Sequence, residues 1–391
     1  MNSTNNLCVI TTDYPSKGRP VYIFVEQLVN TLVDNGVKVD VVAPQSLTRA
    51  LIRHEALLPK EAEHTTLSGN KYKVYRPHVF TFGDGHEKLY KIANYYNQNS
   101  INKYISKISP SILYAHFWNN ALLGLDYAMK RNLPLFVACG EGDDAIEIMM
   151  ETLSPKRLKE LTETVTGVIS VSSENKRKCL DYNLSNSANT IVLPNAADMN
   201  LFYPRKRNEK LREQLGVEPD DFLILFVGGF IKRKGCNILA DAISSLNDSS
   251  IKVIFAGGAW KGENEDPVSE GIVYKGRIEH KDLPDYYAAS DLFVLPTLKE
   301  GCSNAIIESL AMGVPVVSSV GAFNDDILDE SNSIRVNPLS VEEISAAIKK
   351  MKTDKQFYNE IKKALVQRAS NYSIRSRASK ILTFIESLTS K

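Results

Sequence analysis

The chain has 391 residues, of which 43% are hydrophobic and 24% charged, so it is long enough for two domains with separate hydrophobic cores. Its formal net charge of +1 and its lack of a block of like charge argue against recruitment of nucleic acid by a global field. Five scattered cysteines without a CxxC pair argue against structural disulfides and zinc sites, and no segment reaches the roughly 18 apolar residues of a membrane span.

Short apolar strands alternate with amphipathic helices in the first half of the chain. LCVITTD predicts a strand, the apolar periodicity from Val21 to Asn35 predicts a helix that ends at Gly36, and VKVDVVAP predicts the next strand. Further predicted strands are SILYAH, PLFVACG, GVISVSS and TIVLPN. Strands separated by helices in this way indicate a parallel, doubly wound sheet.

A charged stretch, PRKRNEKLREQLGVEPDD, interrupts this alternation and is the predicted linker, which puts a domain boundary near Pro204. The alternation restarts with the predicted strands FLILFVGG, IKVIFAGG, GIVYKG, DLFVLP and VPVVSS. The predicted fold class is therefore α/β, with two Rossmann-like, doubly wound parallel-sheet domains facing each other. Ligands of such sheets bind outside the carboxyl ends of the strands, in the cleft.

Three candidate ligand-binding positions follow predicted strands of the first domain. Gly18, in the loop PSKGRP, would let a ligand approach the backbone, although a plain turn explains the loop nearly as well. His116 can hydrogen bond a ligand hydroxyl, or it can be a buried histidine bonded to the backbone. Glu141, in GEGDD, can hold hydroxyls or belong to a solvated acidic loop.

The segment FVGGFIKRKG, residues 226–235, is a candidate for phosphate binding. Its strand ends at Gly228 and Gly229, where missing side chains permit close approach, and Arg233 and Lys234 follow on the next loop. Two cations beside a diphosphate would stabilise negative charge that develops on it, whereas the alternative is a pair of solvated loop cations. The segment lacks the G-x-G-x-x-G spacing, which disfavours an NAD dehydrogenase.

The segment LFVLPTLKEGCSNAIIESLAMGVPVV, residues 292–317, places two carboxylates around the start of a helix. A helix is predicted roughly from Ser303 to Met312, with Gly313 as its stop signal. At about 100° per residue Glu308 points away from the apolar stripe of this helix, so we expect it to be free to meet a ligand. Glu300 precedes the helix, whose first N–H groups would bind an anion. The alternative is two solvated glutamates.

These residues resemble the Glu-x7-Glu motif, and the Gly-x-Pro-Val that follows it, of the retaining GT-B enzymes in the "glycosyl transferases group 1" family, glycosyltransferase family 4. In that family the first Glu holds hydroxyls of the transferred sugar and the second holds the ribose of the nucleotide. The resemblance implies these roles for Glu300 and Glu308. It also implies that the intervening amides contact sugar and phosphate, namely those of Gly301, Cys302, Ser303 and Asn304.

The resemblance covers nearly the whole chain and is strongest from Asp221 to Val336. Lys234 matches the lysine of the family's Gly-Arg-x4-Lys-Gly element, but Gly229 stands at the arginine position. Arg233 would then supply the second charge from a different place. LPNAADMNLFYP, residues 193–204, resembles a family segment that closes the first domain, and its expected role is structural.

The resemblance implies further contacts outside these two motifs. His116 would lie near the hydroxymethyl group of the transferred sugar, and Glu141 would bind the acceptor. Gly18 would approach the donor phosphate or the acceptor. Arg277 and Ile278 stand where the family holds its nucleotide base through backbone contacts.

The activity implied by the resemblance is transfer of a hexosyl group from a UDP- or GDP-linked sugar to a hydroxyl of a growing, lipid-linked glycan, with retention of anomeric configuration. Enzymes of exopolysaccharide, teichuronic acid and lipopolysaccharide assembly have a similar pattern. No cofactor is expected, and no metal either, because Asp-x-Asp is absent. The alternatives are a nucleotide-sugar 2-epimerase of the same architecture and a non-catalytic sugar-binding protein.

The amino terminus has no charged n-region and only a short apolar run, so we expect a cytoplasmic protein. Residues 38–107 hold eleven Lys or Arg against six Asp or Glu. This excess is compatible with a lipid-linked acceptor and peripheral association with the inner face of the cell membrane, although such an excess is usually solvated surface.

The expected domains are an acceptor-side domain over 1–204 and a nucleotide-sugar domain over 205–372, followed by a terminal helix within 373–391. The apolar face of that helix consists of Ile374, Ala378, Ile381, Leu382 and Ile385. The resemblance implies that it packs back on the first domain, whereas a helix that caps only the second domain would satisfy the same apolar stripe.

Overall fold

The computed structural model describes residues 6–16, 21–81, 87–141, 144–259 and 262–390, which form two compact units. The first unit comprises residues 1–171, 175–193 and 378–391, and the second comprises 172–174 and 194–377. The long second segment therefore begins after Leu193, earlier in the chain than the predicted boundary at Pro204. The carboxyl-terminal residues from Ala378 onward return to the first unit.

An eight-stranded sheet forms the centre of the first unit. The strands of this unit are β1 (Asn6–Thr11), β2 (Lys38–Val42), β3 (Gln45–Ser46), β4 (Glu61–Thr65), β5 (Lys71–Tyr75), β6 (His78–Val79), β7 (Ile112–His116), β8 (Leu135–Cys139), β9 (Val165–Ser170) and β10 (Thr190–Val192). The large sheet has the order β10-β9-β8-β7-β1-β2-β5-β4, and β3 pairs with β6 separately. All pairs in the large sheet are parallel except the antiparallel pair of β4 and β5.

Helices connect these strands, and most of them bury apolar side chains. They are α1 (Ile23–Asp34), α2 (Leu47–Arg53), α3 (Glu87–Ile108), α4 (Trp118–Arg131), α5 (Ala145–Thr152), α6 (Pro155–Thr164) and α7 (Ser173–Asp181). The central strands β1, β7 and β8 are buried along their whole length, as expected for a sheet covered on both faces. Trp118 and Leu125 of α4 lie in the core, with exposed fractions of 1% and 0%.

The second unit contains a six-stranded parallel sheet. Its strands are β11 (Phe222–Gly229), β12 (Ile251–Gly258), β13 (Ile272–Gly276), β14 (Leu292–Leu295), β15 (Val316–Ser319) and β16 (Ser333–Val336), in the order β13-β12-β11-β14-β15-β16. The later helices of the chain are α8 (Glu209–Gln214), α9 (Cys236–Leu246), α10 (Leu283–Ala289), α11 (Asn304–Met312), α12 (Val341–Thr353), α13 (Lys355–Arg368) and α14 (Ile374–Thr389).

The terminal helix α14 is divided between the two units. Ile374–Arg377 belong to the second unit, and the residues from Ala378 onward belong to the first. In the first unit the ring of Phe384 lies 6.2 Å from that of Phe136 on β8, edge to face. Ile381 and Ile385, on the predicted apolar face, are fully buried. The part of the chain that the structure describes contains no helix with the length and hydropathy needed to cross a bilayer.

The charged stretch that the sequence predicts as a linker is a packed part of the second unit. It carries α8, where Arg212 is only 1% exposed. The guanidinium donates to the carbonyl oxygens of Ala289 and Asp221 and lies 3.1 Å from the carboxylate of Asp291. A buried charge needs such partners, and here they tie the stretch to the sheet of the second unit.

Candidate functional site

Two loops of the second unit meet because the strands that precede them are neighbours. β11 and β14 are parallel and adjacent, with Ile224 opposite Leu292, so their carboxyl ends lie at the same edge of the sheet. The backbone N–H of Leu298, after β14, donates to the carbonyl oxygen of Arg233, after β11, over 2.8 Å. The hydroxyl oxygen of Thr297 lies 3.2 Å from the same carbonyl oxygen.

Gly235 permits this close approach of the two loops. Its φ is +73°, in the left-handed region, and a side chain there would overlap the carbonyl oxygen of Pro296. The glycine also separates the short 3-10 helix at Lys232–Lys234 from α9. The last glycine of the predicted phosphate-binding segment is therefore required for packing of the loop that carries Arg233 and Lys234.

The carboxylate of Glu300 lies beside both cations of that loop. The Nζ atom of Lys234 donates a hydrogen bond to Glu300 Oε1, and the hydroxyl of Thr297 donates to the same oxygen over 2.8 Å. Arg233 Nη1 lies 3.5 Å from Glu300 Oε2 and donates to the carbonyl oxygen of Lys299 over 2.5 Å. The Glu300 side chain is 10% exposed, compared with 17% for Lys234 and 37% for Arg233.

The surroundings keep Glu300 ionised. Burial alone would raise its pKa, because a carboxylate loses hydration in the protein interior. The charge and hydrogen bond of Lys234, the charge of Arg233 and the hydrogen bond of Thr297 outweigh burial and lower the pKa of Glu300 below its ordinary value. The site therefore holds two cations and one fixed carboxylate in a partly buried cluster.

The loop between Glu300 and α11 is fixed by Asn195. The side-chain amide of Asn195 donates to the carbonyl oxygen of Cys302 over 3.1 Å and to Asn304 Oδ1 over 2.8 Å. Gly301, Cys302 and Ser303 are buried, and Asn304 is half-buried. Burial raises the pKa of the Cys302 thiol to about 12, so this cysteine stays protonated and packs as a small apolar residue.

The expectation that Glu308 is free to meet a ligand is wrong. Every residue of α11 from Ile306 to Met312 is buried, and Glu308 is 8% exposed. Its Oε1 atom lies 2.8 Å from Nε2 of His280, and its Oε2 atom accepts a hydrogen bond from Tyr287 over 3.3 Å. Helical periodicity placed Glu308 off the main apolar stripe, but helix α10 and the residues before it cover that side as well.

His280 is a site residue that the sequence analysis missed. Burial disfavours its charged form, but the hydrogen bond and charge of Glu308, with the charge of Asp198, outweigh burial and raise the pKa of His280 above its ordinary value. Its ring packs 5.2 Å from that of Phe202, which belongs to the segment expected to be structural. The only local signal is the position of His280 shortly after a strand, and this does not identify Glu308 as its partner.

The remaining donor-side candidates lie at the ends of β11, β12 and β13. Gly229 is the last residue of β11, and its neighbour across the ladder is Gly258 of β12. The Arg277 side chain is exposed, runs past Gly258 and donates to the carbonyl oxygen of Ala259 over 3.4 Å. Ile278 is half-buried.

The first-unit candidates that the structure describes both lie near the start of α4. His116 ends β7 and is 3% exposed, with its ring 4.8 Å from Tyr114 and 5.8 Å from Phe117. Glu141 Oε1 accepts from the backbone N–H of Trp118 over 3.0 Å. Burial raises the pKa of Glu141, although backbone N–H donors such as that of Trp118 oppose the shift. Gly18 lies outside the described residues.

Metal ligands are not grouped in the part of the chain that the structure describes. No set of three or more His, Cys, Asp or Glu side chains there could hold an ion. The charge at the Glu300 cluster is instead provided by Lys234 and Arg233.

Residues 221–354 match the model of the family described as Glycosyl transferases group 1, and this range contains Lys234, His280, Glu300 and Glu308. This part of the chain is similar to the group 1 glycosyltransferases, and the relatives of the chain also carry glycosyltransferase names. The match begins with β11 and ends just after α12, so it covers the six-stranded sheet and the cluster built on it.

Two glycosyltransferases are similar in sequence to this chain over most of its length. It is 24% identical over 355 residues to the putative teichuronic acid biosynthesis glycosyltransferase TuaC of Bacillus subtilis, with 87% of each chain covered. It is 24% identical over 275 residues to an Escherichia coli enzyme named UDP-Gal:alpha-D-GlcNAc-diphosphoundecaprenol alpha-1,3-galactosyltransferase, covering 66% of this chain and 70% of the relative.

Solved structures show the fold of this chain. Sucrose-phosphate synthase from Thermosynechococcus elongatus matches with a TM-score of 0.77 at 18% identity, covering 99% of this chain and 100% of that one. Anabaena HepE in complex with UDP matches with a TM-score of 0.74 at 19% identity, covering 98% and 100%. The predicted GT-B fold class, with two α/β units built on mainly parallel sheets, is confirmed.

Proposed function

We propose that this protein is a glycosyltransferase that moves a hexosyl group from a nucleotide diphosphate sugar to a hydroxyl of a growing, lipid-linked glycan, with retention of anomeric configuration. The observation that carries the proposal is the cluster in which Lys234 and Arg233 flank the carboxylate of Glu300. Cations beside a carboxylate at the carboxyl edge of a parallel sheet suit a ligand that has phosphates and sugar hydroxyls.

The chemistry assigned to these residues is electrostatic. In the proposed reaction the bond from the anomeric carbon to the diphosphate oxygen breaks, and the bond to the acceptor oxygen forms on the same face of the sugar. The acceptor proton passes to the leaving diphosphate. Lys234 and Arg233 would stabilise the charge that grows on the diphosphate, and Glu300 would hold sugar hydroxyls while the ring becomes electron-poor.

The choice of donor and acceptor is supported by the similar proteins. HepE has been solved with UDP and with UDP-glucose, and the Escherichia coli relative is named for a UDP-galactose donor and a diphosphoundecaprenol-linked acceptor. TuaC is named for teichuronic acid biosynthesis. A UDP-linked hexose is accordingly the first donor to test, with GDP- and ADP-linked sugars as alternatives.

A thermal-shift screen against UDP, GDP and ADP tests the donor site. One nucleotide at a hundred times its dissociation constant should contribute about 2.7 kcal/mol to the free energy of unfolding. Lys234→Met should abolish this shift, whereas Lys232→Met, which removes an exposed cation two residues away, should retain it. Loss of the shift in both variants, or no shift in the unaltered chain, would contradict the proposed donor site.

Product analysis tests the reaction itself. Incubated with a nucleotide sugar and a lipid-linked acceptor, the chain should form a glycoside whose anomeric configuration equals that of the donor, as NMR of the product reports. Incubated with the donor alone, it should leave the sugar unepimerised at C2. A 2-epimer formed without acceptor, or an inverted glycoside, would overturn the proposal.

A further inference from the structure

The loop that carries Arg233 and Lys234 has a neighbouring segment on each side, because β11 lies between β12 and β14 in the sheet. On the β14 side, the backbone N–H of Leu298 donates to the carbonyl oxygen of Arg233 over 2.8 Å. On the β12 side, the contacts come from residues 262–271, which precede β13. We call residues 230–237 the cation segment. Its position is set from both sides, and the sequence motifs identify only the β14 side.

Glu265 contacts both ends of the cation segment. Its backbone N–H donates to the carbonyl oxygen of Phe230 over 2.8 Å. Its Oε2 atom accepts a hydrogen bond from the side-chain amide of Asn237. Phe230 lies three residues before Arg233, and Asn237 lies three residues after Lys234. A single residue therefore links the two ends of the segment, with both cations between them.

The two ends that Glu265 joins are themselves anchored in the second unit. The backbone N–H of Phe230 donates to the carbonyl oxygen of Gly258, the last residue of β12, over 2.8 Å. Asn237 is the second residue of α9, a helix held in the core by buried residues such as Leu239. Because both ends are anchored, a link between them restricts the residues that lie in between.

Asp266, the acidic residue next to Glu265, has a different partner. Its Oδ1 atom accepts from Nζ of Lys275 on β13 over 2.6 Å, and the same Nζ atom donates to the carbonyl oxygen of Pro267 over 3.3 Å. The Asp266 side chain is 72% exposed, whereas Glu265 is half-buried. Asp266 thus ties residues 262–271 to the edge strand β13, and Glu265 ties them to the cation segment.

The charge of Glu265 also acts on the cation segment. Burial, followed by the charge of Glu265, raises the pKa of the Cys236 thiol to about 11, although backbone N–H groups oppose the shift. Cys236 lies two residues after Lys234. A phosphate beside Lys234 would meet the same negative charge as the thiolate of Cys236 does. Glu265 therefore has two opposite effects on an anionic ligand, because its hydrogen bonds hold the cations in place while its charge repels the ligand.

We propose that Glu265 is a positioning residue for the donor diphosphate. Its hydrogen bond to Asn237 holds the cation segment so that Lys234 and Arg233 stay where the phosphates bind, and its charge lowers the affinity for those phosphates. Glu265 acts through the two cations and does not touch the reacting atoms. The inference rests on the proposed function, because it needs a diphosphate at Lys234, but the link between Glu265 and Asn237 is testable without a nucleotide.

Calorimetric titration with UDP and with uridine separates phosphate positioning from a merely structural role. Glu265→Ala removes the hydrogen bond to Asn237, so the affinity for UDP should fall about tenfold. Uridine has no phosphate, and its affinity should stay within about twofold of the value for the unaltered chain. Glu265→Gln keeps an oxygen that accepts from Asn237 and removes the charge, so it should bind UDP as tightly as the unaltered chain or up to about threefold more tightly.

Two further substitutions serve as a partner test and a matched control. Asn237→Ala removes the other half of the hydrogen bond and should lower the affinity for UDP as much as Glu265→Ala does. The double variant should be no weaker than either single variant, because both changes remove one interaction. Asp266→Ala removes the adjacent carboxylate, which bonds to Lys275, and should leave the affinity for UDP within about twofold.

Hydrogen exchange of a peptide that covers residues 230–237 tests the link without a nucleotide. Exchange should be about fivefold faster or more in Glu265→Ala and in Asn237→Ala, and unchanged in Asp266→Ala. Unchanged exchange in Glu265→Ala would overturn the proposal, as would equal losses of affinity for UDP and uridine. If exchange is faster in Glu265→Ala but the unaltered chain binds none of UDP, GDP and ADP, the link to Asn237 is supported and the proposed function is refuted.

Discussion

Glu300 and Glu308 have side chains that are both 10% exposed, yet they are held by different chemistry. Glu300 contacts two cationic side chains, those of Lys234 and Arg233. Glu308 contacts the titratable imidazole of His280 and the hydroxyl of Tyr287. Equal burial therefore does not give equal roles, because the partners decide what each carboxylate can do.

The two sets of partners suit two different roles, an electrostatic role for Glu300 and a positioning role for Glu308. A diphosphate that reached Lys234 and Arg233 would lie beside the two cations that also contact Glu300. Glu308 would act with a histidine whose pKa its own charge helps to raise above the ordinary value. The comparison predicts that substitutions at Glu300 change turnover and that substitutions at Glu308 change affinity.

The largest effect is expected from Glu300→Gln. The substitution keeps the shape but removes the charge opposite the electron-poor sugar, so kcat should fall on the order of 100-fold to 1,000-fold. Thr297→Val is the matched control, because it removes one hydrogen bond to Glu300 Oε1 and leaves the charge. Initial rates at saturating donor measure both variants. Full activity of Glu300→Gln would remove Glu300 from the reaction.

The second-largest effect is a loss of kcat/KM that should differ between Lys234 and Arg233 variants. Lys234→Met should lower kcat/KM by about 100-fold, because Lys234 hydrogen bonds directly within the cluster. Arg233→Met should cost roughly tenfold, because Arg233 is 37% exposed and lies 3.5 Å from the carboxylate. Steady-state kinetics on variants with unchanged circular dichroism measure this order. A larger loss from Arg233→Met would assign the main phosphate contact to Arg233 instead.

Glu308→Gln is expected to raise the KM for the donor by about tenfold with little change in kcat. The physical reason is that an amide holds His280, the partner of Glu308, less well than the carboxylate does, so the donor site proposed beside them would be less firmly positioned. Tyr287→Phe is the control, since it removes one hydrogen bond to Glu308 without altering its charge. A drop in kcat at unchanged KM would show that Glu308 acts in the chemical step.

Substitution of His280 should have a smaller effect, a pH-dependent change in melting temperature. Because the pKa of His280 is raised in the folded chain, its stabilisation is fully present below the unfolded value of about 6.5 and is lost as pH rises through the raised pKa. His280→Asn should therefore lower the melting temperature more at pH 6 than at about pH 8.5. Melting curves of the two proteins across this range measure the gap, and a gap that widens with pH would contradict the assignment.

No effect is expected from removal of divalent metal ions. Lys234 and Arg233 are proposed to neutralise the donor diphosphate, so donor binding and turnover should proceed in EDTA. Transfer assays with and without added magnesium or manganese measure this directly. Activity that EDTA abolishes and either ion restores would show that the two cations are insufficient.

Much of the fold could be predicted from apolar runs bounded by glycine and proline. β1, β7, β8, β11 and β14 are runs of this kind, and the structure confirms each of them. The antiparallel pair β4 and β5 was missed because neither is a continuous apolar run: β4, EAEHT, has a single aliphatic residue, and β5, KYKVY, is interrupted by lysine. Helix α3 was missed as well, since the polar residues of NYYNQNSINKY hide its periodicity. Arg212 shows why the charged stretch is not a linker, because two of its partners, Ala289 and Asp291, lie far away in sequence.

The candidate site could be predicted where its residues lie in local motifs. Lys234 and Glu300 were identified from two separate segments, and strand order brings those segments together. Asn195, His280 and Tyr287 complete the site through contacts over long sequence separations, which local periodicity does not report. The burial of Glu308 was missed for the same reason, because helix periodicity describes one helix and not the neighbours that cover it.

Calorimetric titration of one nucleoside diphosphate into the unaltered chain, Glu300→Gln and Glu308→Gln tests the division of roles most directly. The account predicts that Glu308→Gln weakens binding by about tenfold while Glu300→Gln binds within about twofold of the unaltered chain and yet turns over far more slowly. The reverse pattern, or two variants that bind and turn over like the unaltered chain, would contradict it.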